Sequence, residues 1–436
     1  MTDLLAARLQ MAISLGFHIV FACIGMSMPF LMAVAHRSAI RAGRGIDDTL
    51  TRVWARGVAV FFAVGAVSGT ALSFELGLLW PEFMRHAGPI IGLPFSLEGA
   101  AFFLEAVALG IFLYGRGRMP EKARFWAGLV VGITGVCSGA FVICANAWMN
   151  APTGFEWNDG NPIHIDPYAA MFNEAALSQI LHMMLASFEA VGFGVAGIHA
   201  ALLLRRPGSA LHKRALGIAL WFAVPAALLQ PLSGDFSAKD IARRQPLKLA
   251  AAEAHFETMN GAPLLIGGLP DVKTGEVHFG LEIPGMLSWL AFGDLDAEVK
   301  GLNDFPRDEW PPVPIVHFAF QTMVMLGGLL AFVGLLAVML RRYRPAWFYS
   351  RTFLRLLVFC APLGFVALEA GWVVTEVGRQ PWIIYGILRT RDALTPMPGL
   401  IYPLLLFTFL YLSLSIIVTW TMVRRFRVLE TEQPDA

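Results

Sequence analysis

Charged residues are scarce in this chain. Asp, Glu, Lys and Arg together make up 15% of its 436 residues, whereas hydrophobic residues make up 56%. Apolar stretches of membrane-spanning length recur from one end to the other, as in helical proteins embedded in lipid. The formal net charge is +1, so no global positive field favours nucleic acid as a partner. We expect an all-α polytopic membrane protein that contacts lipid and binds no nucleic acid.

Cysteine is equally sparse, and its placement excludes several kinds of site. The four cysteines fall inside apolar segments, at Cys23, Cys137, Cys144 and Cys360. No CxxC or CxxCH pattern occurs, so disulfides, zinc and covalently attached haem have no support. The chain also shows no internal repeat, and no cationic region precedes its first apolar run. We therefore expect neither a cleaved signal peptide nor a repeat architecture.

Nine apolar segments predict nine transmembrane helices. They cover about 11–35, 55–80, 91–114, 125–149, 177–204, 215–232, 315–340, 353–376 and 400–424. Lys and Arg cluster after the odd-numbered segments, whereas the connection 150–176 contains neither. By the positive-inside rule, the N-terminus is outside and the C-terminus is cytoplasmic.

One connection is much longer than the others and divides the chain into three parts. We predict transmembrane helices 1–6 over 1–232, an extracytoplasmic loop over 233–314, and helices 7–9 with a short cytoplasmic tail over 315–436. The loop is rich in Gly, Pro and Asp and has one helical patch, LKLAAAEAHFET (247–258). Loops of this length in compact proteins are usually functional.

Polar side chains within the segments converge on one predicted depth. His18, Glu98, His182, Met323 and Glu376 come from five different helices, and each is expected in the outer half of the membrane. A lone His or Met in a core is usually only packing, but helix bundles build cofactor sites from facing helices. His, Met and carboxylate are all plausible ligands of haem iron. His199 and His317 are weaker candidates, because they lie near the ends of their helices.

The stretch EAGWVVTEVGRQPW (369–382) concentrates the chemistry. Glu369 and Glu376 are seven residues apart, so they share a helix face about 10 Å apart along the axis. Carboxylates at this depth are costly and mark functional sites.

These residues carry a family resemblance. The chain resembles subunit I of the cytochrome bd-type quinol oxidases over essentially its whole length, and its short loop is similar to that of the cyanide-insensitive branch. The matching motifs are GWVVTEVGRQPW (371–382), SLEGAAFFLE (96–105), RLQMAISLGFH (8–18), ANAWMNAP (145–152) and LKLAAAEAHFET (247–258).

The resemblance implies roles for individual residues. His182 and Met323 match the axial ligands of a low-spin haem b. His18 and Glu98 look like ligands at the oxygen-reducing haem, a haem d or a further haem b, and Glu376 looks like the ligand of a high-spin haem b. The two high-spin assignments could exchange. Arg379 and Trp372 resemble residues that hold propionates and lie between the haems.

The resemblance also implies a reaction and its partners. Lys248 and Glu253 match loop residues implicated in quinol oxidation, and Glu105, with Ser138 and Asn146, resembles the proton path to the oxygen site. A respiratory terminal oxidase of the bacterial inner membrane is implied. It would oxidise ubiquinol or menaquinol outside and reduce O2 to water with cytoplasmic protons, generating proton motive force. The implied partners are subunit II and a small single-helix subunit.

Two positions depart from the family pattern. Gln321 stands two residues before Met323, where an arginine is familiar, so a shifted haem potential is expected. His255-Phe256 replaces a common tryptophan-bearing pair, which affects the expected quinol and inhibitor preferences.

Two other functions are compatible with an apolar bundle. A dihaem cytochrome b passing electrons between quinone and a partner would need four well-placed histidines for bis-His ligation, and the segments supply two convincing ones. A transporter would use the intramembrane acids for ions, but the repeated halves typical of transporters do not occur here.

Overall fold

Long α-helices dominate the fold. The computed structural model describes residues 1–43, 45–158 and 160–431, so residues 432–436 of the predicted tail lie outside the described residues. The helices are α1 Asp3–Ala42, α2 Ile46–Leu79, α3 Pro81–Tyr114, α4 Glu121–Asn150, α5 Pro167–Met171, α6 Ala176–Arg205, α7 Ala210–Arg244, α8 Pro246–Glu253, α9 Met286–Phe292, α10 Val313–Tyr343, α11 Pro345–Phe348, α12 Arg351–Cys360, α13 Leu363–Val377 and α14 Ile401–Thr431.

Nine spans in the described ranges are long and apolar enough to cross a membrane, with α12 and α13 forming one of them. The prediction of an all-α polytopic protein with nine transmembrane helices is confirmed. Most helices extend beyond their predicted ends, because sequence hydropathy falls at the membrane surface whereas backbone hydrogen bonding continues. The sixth span is the largest difference: α7 includes Pro225 and Pro231 and continues to Arg244, beyond the predicted end at 232.

Short antiparallel pairs of β-strands lie in the connections between the helices. The strands are β1 Glu156–Asn158, β2 Asn161–Ile163, β3 Met259–Asn260, β4 Leu264–Asp271, β5 Glu276–Ile283, β6 Glu298–Val299, β7 Trp382–Ile384 and β8 Leu388–Arg389. They pair as β1–β2, β3–β6, β4–β5 and β7–β8. The β4–β5 hairpin runs in register from Leu264 opposite Ile283 to Asp271 opposite Glu276.

The described chain forms two compact units. Unit one comprises Met1–Arg85, Ala101–Val136 and the chain from Ala393, and unit two comprises His86–Ala100 and Cys137–Asp392. In unit one, α1 packs on α2 and α14. Phe21, Val64 and Val418 form the buried centre of one cluster there. Arg124 joins two helices of this unit, because its guanidinium donates to the Glu121 carboxylate at 2.9 Å and to the Phe112 carbonyl of α3 at 3.0 Å.

Unit two is built on α6, which packs along α7 and against α12 and α13, while α10 packs on α7 and α13. The loop elements cover one end of this group. Leu247, Ala250 and Ala251 of α8 are buried with Val313 and Val316 of α10. The helical patch predicted over 247–258 is shorter than expected: α8 ends at Glu253, because Ala254 takes a left-handed conformation and reverses the chain.

Candidate functional site

Glu376 and Arg379 lie together at the end of α13. Arg379 Nη2 donates to Glu376 Oε2 at 2.5 Å, and the Asn146 amide of α4 donates to Glu376 Oε1. The Arg379 side chain is buried, and its Nε and Nη1 have no hydrogen-bond partner among the described residues. A buried guanidinium with two donors unused suits an additional anion, such as a haem propionate.

Lys248 brings the loop helix α8 to the same place. Its Nζ donates to Asn150 Oδ1 at 2.6 Å, and the neighbouring Gln245 amide donates to the Asn150 carbonyl at 3.0 Å. Burial, followed by repulsion from Arg379, lowers the pKa of Lys248 to about 7, although Glu376 acts in the opposite direction. Lys248 can therefore exchange a proton near neutral pH.

Glu253 occupies the other end of α8. Its side chain is 5% exposed, and Oε2 has no hydrogen-bond partner within the described ranges. Burial raises the pKa of this carboxyl to about 8. Lys248 and Glu253 are therefore two buried proton-exchanging groups on one short helix, unlike the solvated ion pair that such residues usually form on a loop.

His182 on α6 faces side chains of α7. Its Nδ1 lies 3.0 Å from Ser233 Oγ, and the Gln230 amide nitrogen lies 3.2 Å from its Nε2. The Ser233 hydroxyl donates its own proton to the Gln230 carbonyl at 2.9 Å, so its oxygen accepts from Nδ1–H. This tautomer is the one that an iron-bound imidazole requires, with the second nitrogen donating to a hydroxyl.

Met323 on α10 lies against Gly371 of α13. A Cβ at Gly371 would lie 3.1 Å from Met323 Sδ, so glycine allows the thioether to approach the helix closely. The next residue, Trp372, has a buried Nε1 with no hydrogen-bond partner in the described part of the chain. Indole N–H groups normally find a partner when buried, so this donor also suits a bound polar group.

His18 in unit one is held in the same manner as His182. Its Nδ1 lies 3.0 Å from Ser68 Oγ, and that hydroxyl donates its own proton to the Val64 carbonyl at 2.9 Å. The Ser68 oxygen therefore accepts from Nδ1–H, which leaves the Nε2 lone pair for a metal. A Cβ at Gly69 would lie 2.9 Å from His18 Cε1, so glycine is needed beside the ring.

The two acids of α3 belong to different units. In unit two, Ser138 Oγ of α4 donates to Glu98 Oε1 at 3.4 Å. In unit one, Glu105 is buried near Gly25 and Gly135. Glu369, the other predicted acid of α13, has a buried Oε1 without a hydrogen-bond partner among described residues.

These observations fit a haem-binding site. Two histidines present the iron-binding tautomer, a thioether approaches through a glycine, and Arg379 and Trp372 keep buried donors unused. In unit two the structure brings Glu376, Arg379, Asn146 and Lys248 together, which the sequence pattern had assigned to separate haem, proton-path and quinol roles.

Several supporting residues escaped sequence reasoning. Ser68, Ser233, Gln230 and Asn150 orient predicted site residues, but a small polar residue in an apolar helix gives no distinctive signal. Glu75 and Glu189 were also missed, although both are buried acids within predicted spans and the rule used for Glu98 would have found them. His199, a weaker candidate in the sequence, is buried, and its Nδ1 lies 3.2 Å from His212 Nδ1.

Comparisons with known proteins show the family of the chain. Residues 6–429 match the family model described as cytochrome bd terminal oxidase subunit I. The chain is 34% identical over 431 residues to a putative cytochrome bd menaquinol oxidase subunit I of Bacillus subtilis, covering 98% of this chain and 97% of that protein. It is 26% identical over 503 residues to the cytochrome bd-II ubiquinol oxidase subunit 1 of Escherichia coli, covering 98% of each. The solved bd oxidase of Geobacillus thermodenitrificans is similar with a TM-score of 0.92 and 39% identity, covering 98% of both chains.

Proposed function

From the premise that this chain belongs to the cytochrome bd terminal oxidase subunit I family, we propose that it oxidises quinol at its outer loop and reduces O2 to water. Family membership and nine apolar helices make it a multi-pass protein of the bacterial inner membrane that carries haem and takes part in electron transport. The observation that carries the proposal is the position of Lys248: the loop helix α8 places this amine beside Glu376 and Arg379.

Residues 245–312, between α7 and α10, hold the quinol. Lys248 orients one quinol oxygen through its ammonium group, and Glu253 accepts a proton when its carboxyl is ionised. Because the pKa of Glu253 is about 8 and that of Lys248 about 7, both groups can change protonation near the operating pH. This match of pKa to pH is what general acid–base catalysis needs.

His182 and Met323 would hold a low-spin haem b. His18 and Glu98 would hold the oxygen-reducing haem, a haem d or a further haem b, and Glu376 would hold a high-spin haem b. When bound, the haems would supply one-electron transfer, and the oxygen-reducing haem would also supply the site for O2. Arg379 and Trp372 would donate to propionates, since their buried donors have no partner among the described residues.

Protons reach the oxygen site along α3 and α4. Two contacts support this route: Ser138 donates to Glu98, and Asn146 donates to Glu376. Glu105, about 10 Å further along α3 from Glu98, would hold and pass the proton inward of these residues.

The orientation and partners follow the same proposal. The N-terminus lies outside and the C-terminus is cytoplasmic. The quinol segment is extracytoplasmic: of the predicted 233–314, residues 233–244 continue α7, and the connection that holds the quinol is 245–312. Subunit II completes the enzyme, with a small single-helix subunit in addition. Because the named relatives include a menaquinol and a ubiquinol oxidase, both quinols belong in the assay.

A dihaem cytochrome b is disfavoured by the contacts of three further buried histidines. His199 and His212 face each other, and both ring nitrogens of His317 face backbone carbonyls. Reduced-minus-oxidised spectra with pyridine haemochrome analysis of the purified complex distinguish a quinol oxidase from a dihaem cytochrome b. A high-spin haem signal beside the low-spin one is expected, and its absence would favour the dihaem cytochrome.

A further inference from the structure

His317 is enclosed between two backbone carbonyls of the outer loop. It lies in the second turn of α10, and its side chain is 0% exposed. Its Nδ1 is 2.9 Å from the Ala252 carbonyl oxygen of α8, and its Nε2 is 3.1 Å from the Gly267 carbonyl oxygen of β4. One imidazole ring therefore joins two separate loop elements to the membrane helix.

Both contacts require a proton on the ring. A carbonyl oxygen can only accept, and a neutral imidazole carries a single N–H. In the neutral form, one nitrogen lone pair would face a carbonyl lone pair at hydrogen-bond distance, with no exposed surface through which water could relieve the contact. The imidazolium donates from both nitrogens and satisfies both carbonyls.

The surroundings favour a positive charge at this point. Ala252 belongs to the last turn of α8, where unsatisfied carbonyls carry the negative end of the helix dipole. The backbone N–H groups that cap this helix bond to Ala250 and Ala251, which leaves the Ala252 carbonyl for His317.

Gln321, one turn further along α10, extends the same contact. Its Nε2 donates to the Leu265 carbonyl at 2.9 Å, and its Oε1 accepts from the Gly267 N–H at 3.1 Å. Residues four apart share a helix face, so the side chains of His317 and Gln321 both contact the backbone of β4 at hydrogen-bond distance. The loop is thus tied to α10 by side chains rather than by apolar packing alone.

We infer that His317 is a cationic positioning residue, which holds α8 and β4 against α10 and places a positive charge near the low-spin haem site. It precedes Met323 by six residues, about 9 Å along the helix. This inference rests on the proposed function, since it assigns His317 to the quinol loop and to the haem held by Met323. The charge favours the reduced haem, and the two hydrogen bonds fix the helix that carries Lys248 and Glu253.

The test uses the complete purified complex with two readouts. The first is the midpoint potential of the low-spin haem, measured by spectroelectrochemical titration. The second is amide hydrogen exchange of the peptide 264–271. In His317→Gln we expect a lower potential and exchange about tenfold faster, because the cation and one charge-assisted hydrogen bond are lost. His317→Lys should retain the potential. His278→Gln, on an exposed position of β5, is the matched control and should change neither.

Each outcome decides one part of the inference. A wild-type potential in His317→Gln means that His317 is neutral, and unchanged exchange means that it does not hold the loop. If His317→Gln does not assemble, His317→Lys decides the charge by itself, since a lowered potential there overturns the inference. A wild-type complex with no low-spin haem signal would instead contradict the proposed function.

Discussion

At the scale of single residues, burial determines what the ionisable groups can do. Lys248 and Glu253 are both 5% exposed and lie on one eight-residue helix. Burial lowers the pKa of Lys248 to about 7 and raises the pKa of Glu253 to about 8. Desolvation disfavours the charged form of each, so the amine becomes a weaker base and the carboxyl a weaker acid. Each group can therefore accept a proton from a bound quinol when it is in its basic form, the neutral amine or the ionised carboxylate.

Glu253 gives the first prediction. Its pKa of about 8 lies above that of an ordinary carboxyl, so the group is neutral below pH 8 and becomes a proton acceptor as the pH rises through 8. The kcat/KM for quinol should therefore increase with pH over this range in the wild type. Glu253→Gln should lose about a hundredfold in rate and this pH dependence. Glu257→Gln, a nearby exposed acid, should keep both, and an unaltered profile in Glu253→Gln would remove the residue from the proton step.

Glu376 gives the second prediction. It accepts from both Asn146 and Arg379, whereas the oxygen Oε1 of Glu369 has no partner among the residues described. We expect Glu376→Ala to lose a high-spin haem signal in the reduced-minus-oxidised spectrum, while Glu369→Ala keeps it. The reverse pattern would exchange the two assignments.

At the scale of elements, α3 carries two acids seven residues apart, one in each compact unit. We assign Glu98 to the haem site and Glu105 to proton delivery. Glu105→Gln should then slow O2 reduction by about tenfold or more, while quinol still reduces the low-spin haem at the wild-type rate. Stopped-flow spectroscopy separates the two steps. Glu82→Gln at the start of the same helix is the control, and near-normal turnover in Glu105→Gln would end the proton-path assignment.

The membrane-spanning helices could be predicted from the sequence, whereas details of the loop elements could not. Hydropathy predicted all nine membrane spans because an uninterrupted apolar run of that length has few alternative structures. It did not predict that α8 ends at Glu253, since Ala254 adopts a left-handed conformation that no residue type signals. The β4–β5 hairpin was also missed, and β4 is held by Gln321 and His317, which belong to a distant part of the chain.

The candidate site was predictable to a similar degree. The motif residues of α13 and the histidines of α1 and α6 could be identified from residue type and depth. Their supporting hydroxyls and amides, such as Ser68 and Ser233, could not, because their role is defined by a partner on another helix. Lys248 likewise lies beside the Glu376–Arg379 pair only in the folded chain, because these residues are far apart in the sequence.

At the scale of the whole molecule, the proposed orientation has an electrical consequence. If quinol releases its protons outside and water formation takes protons from the cytoplasm, each turnover moves charge across the membrane without a pump. Purified complex in proteoliposomes should build a membrane potential during quinol oxidation, reported by a potential-sensitive dye. Glu105→Gln vesicles should build it more slowly in proportion to their turnover. Oxygen uptake without any potential would contradict the assigned topology.

The central claim is that electrons from quinol, delivered at the outer loop, reduce O2 within this subunit. Quinol-driven oxygen uptake by the purified complex, measured with both menaquinol and ubiquinol analogues, tests it most directly. We predict continuous oxygen uptake with at least one of them, which Glu253→Gln suppresses and Glu257→Gln does not. A complex that becomes reduced by quinol yet consumes no oxygen would contradict the claim.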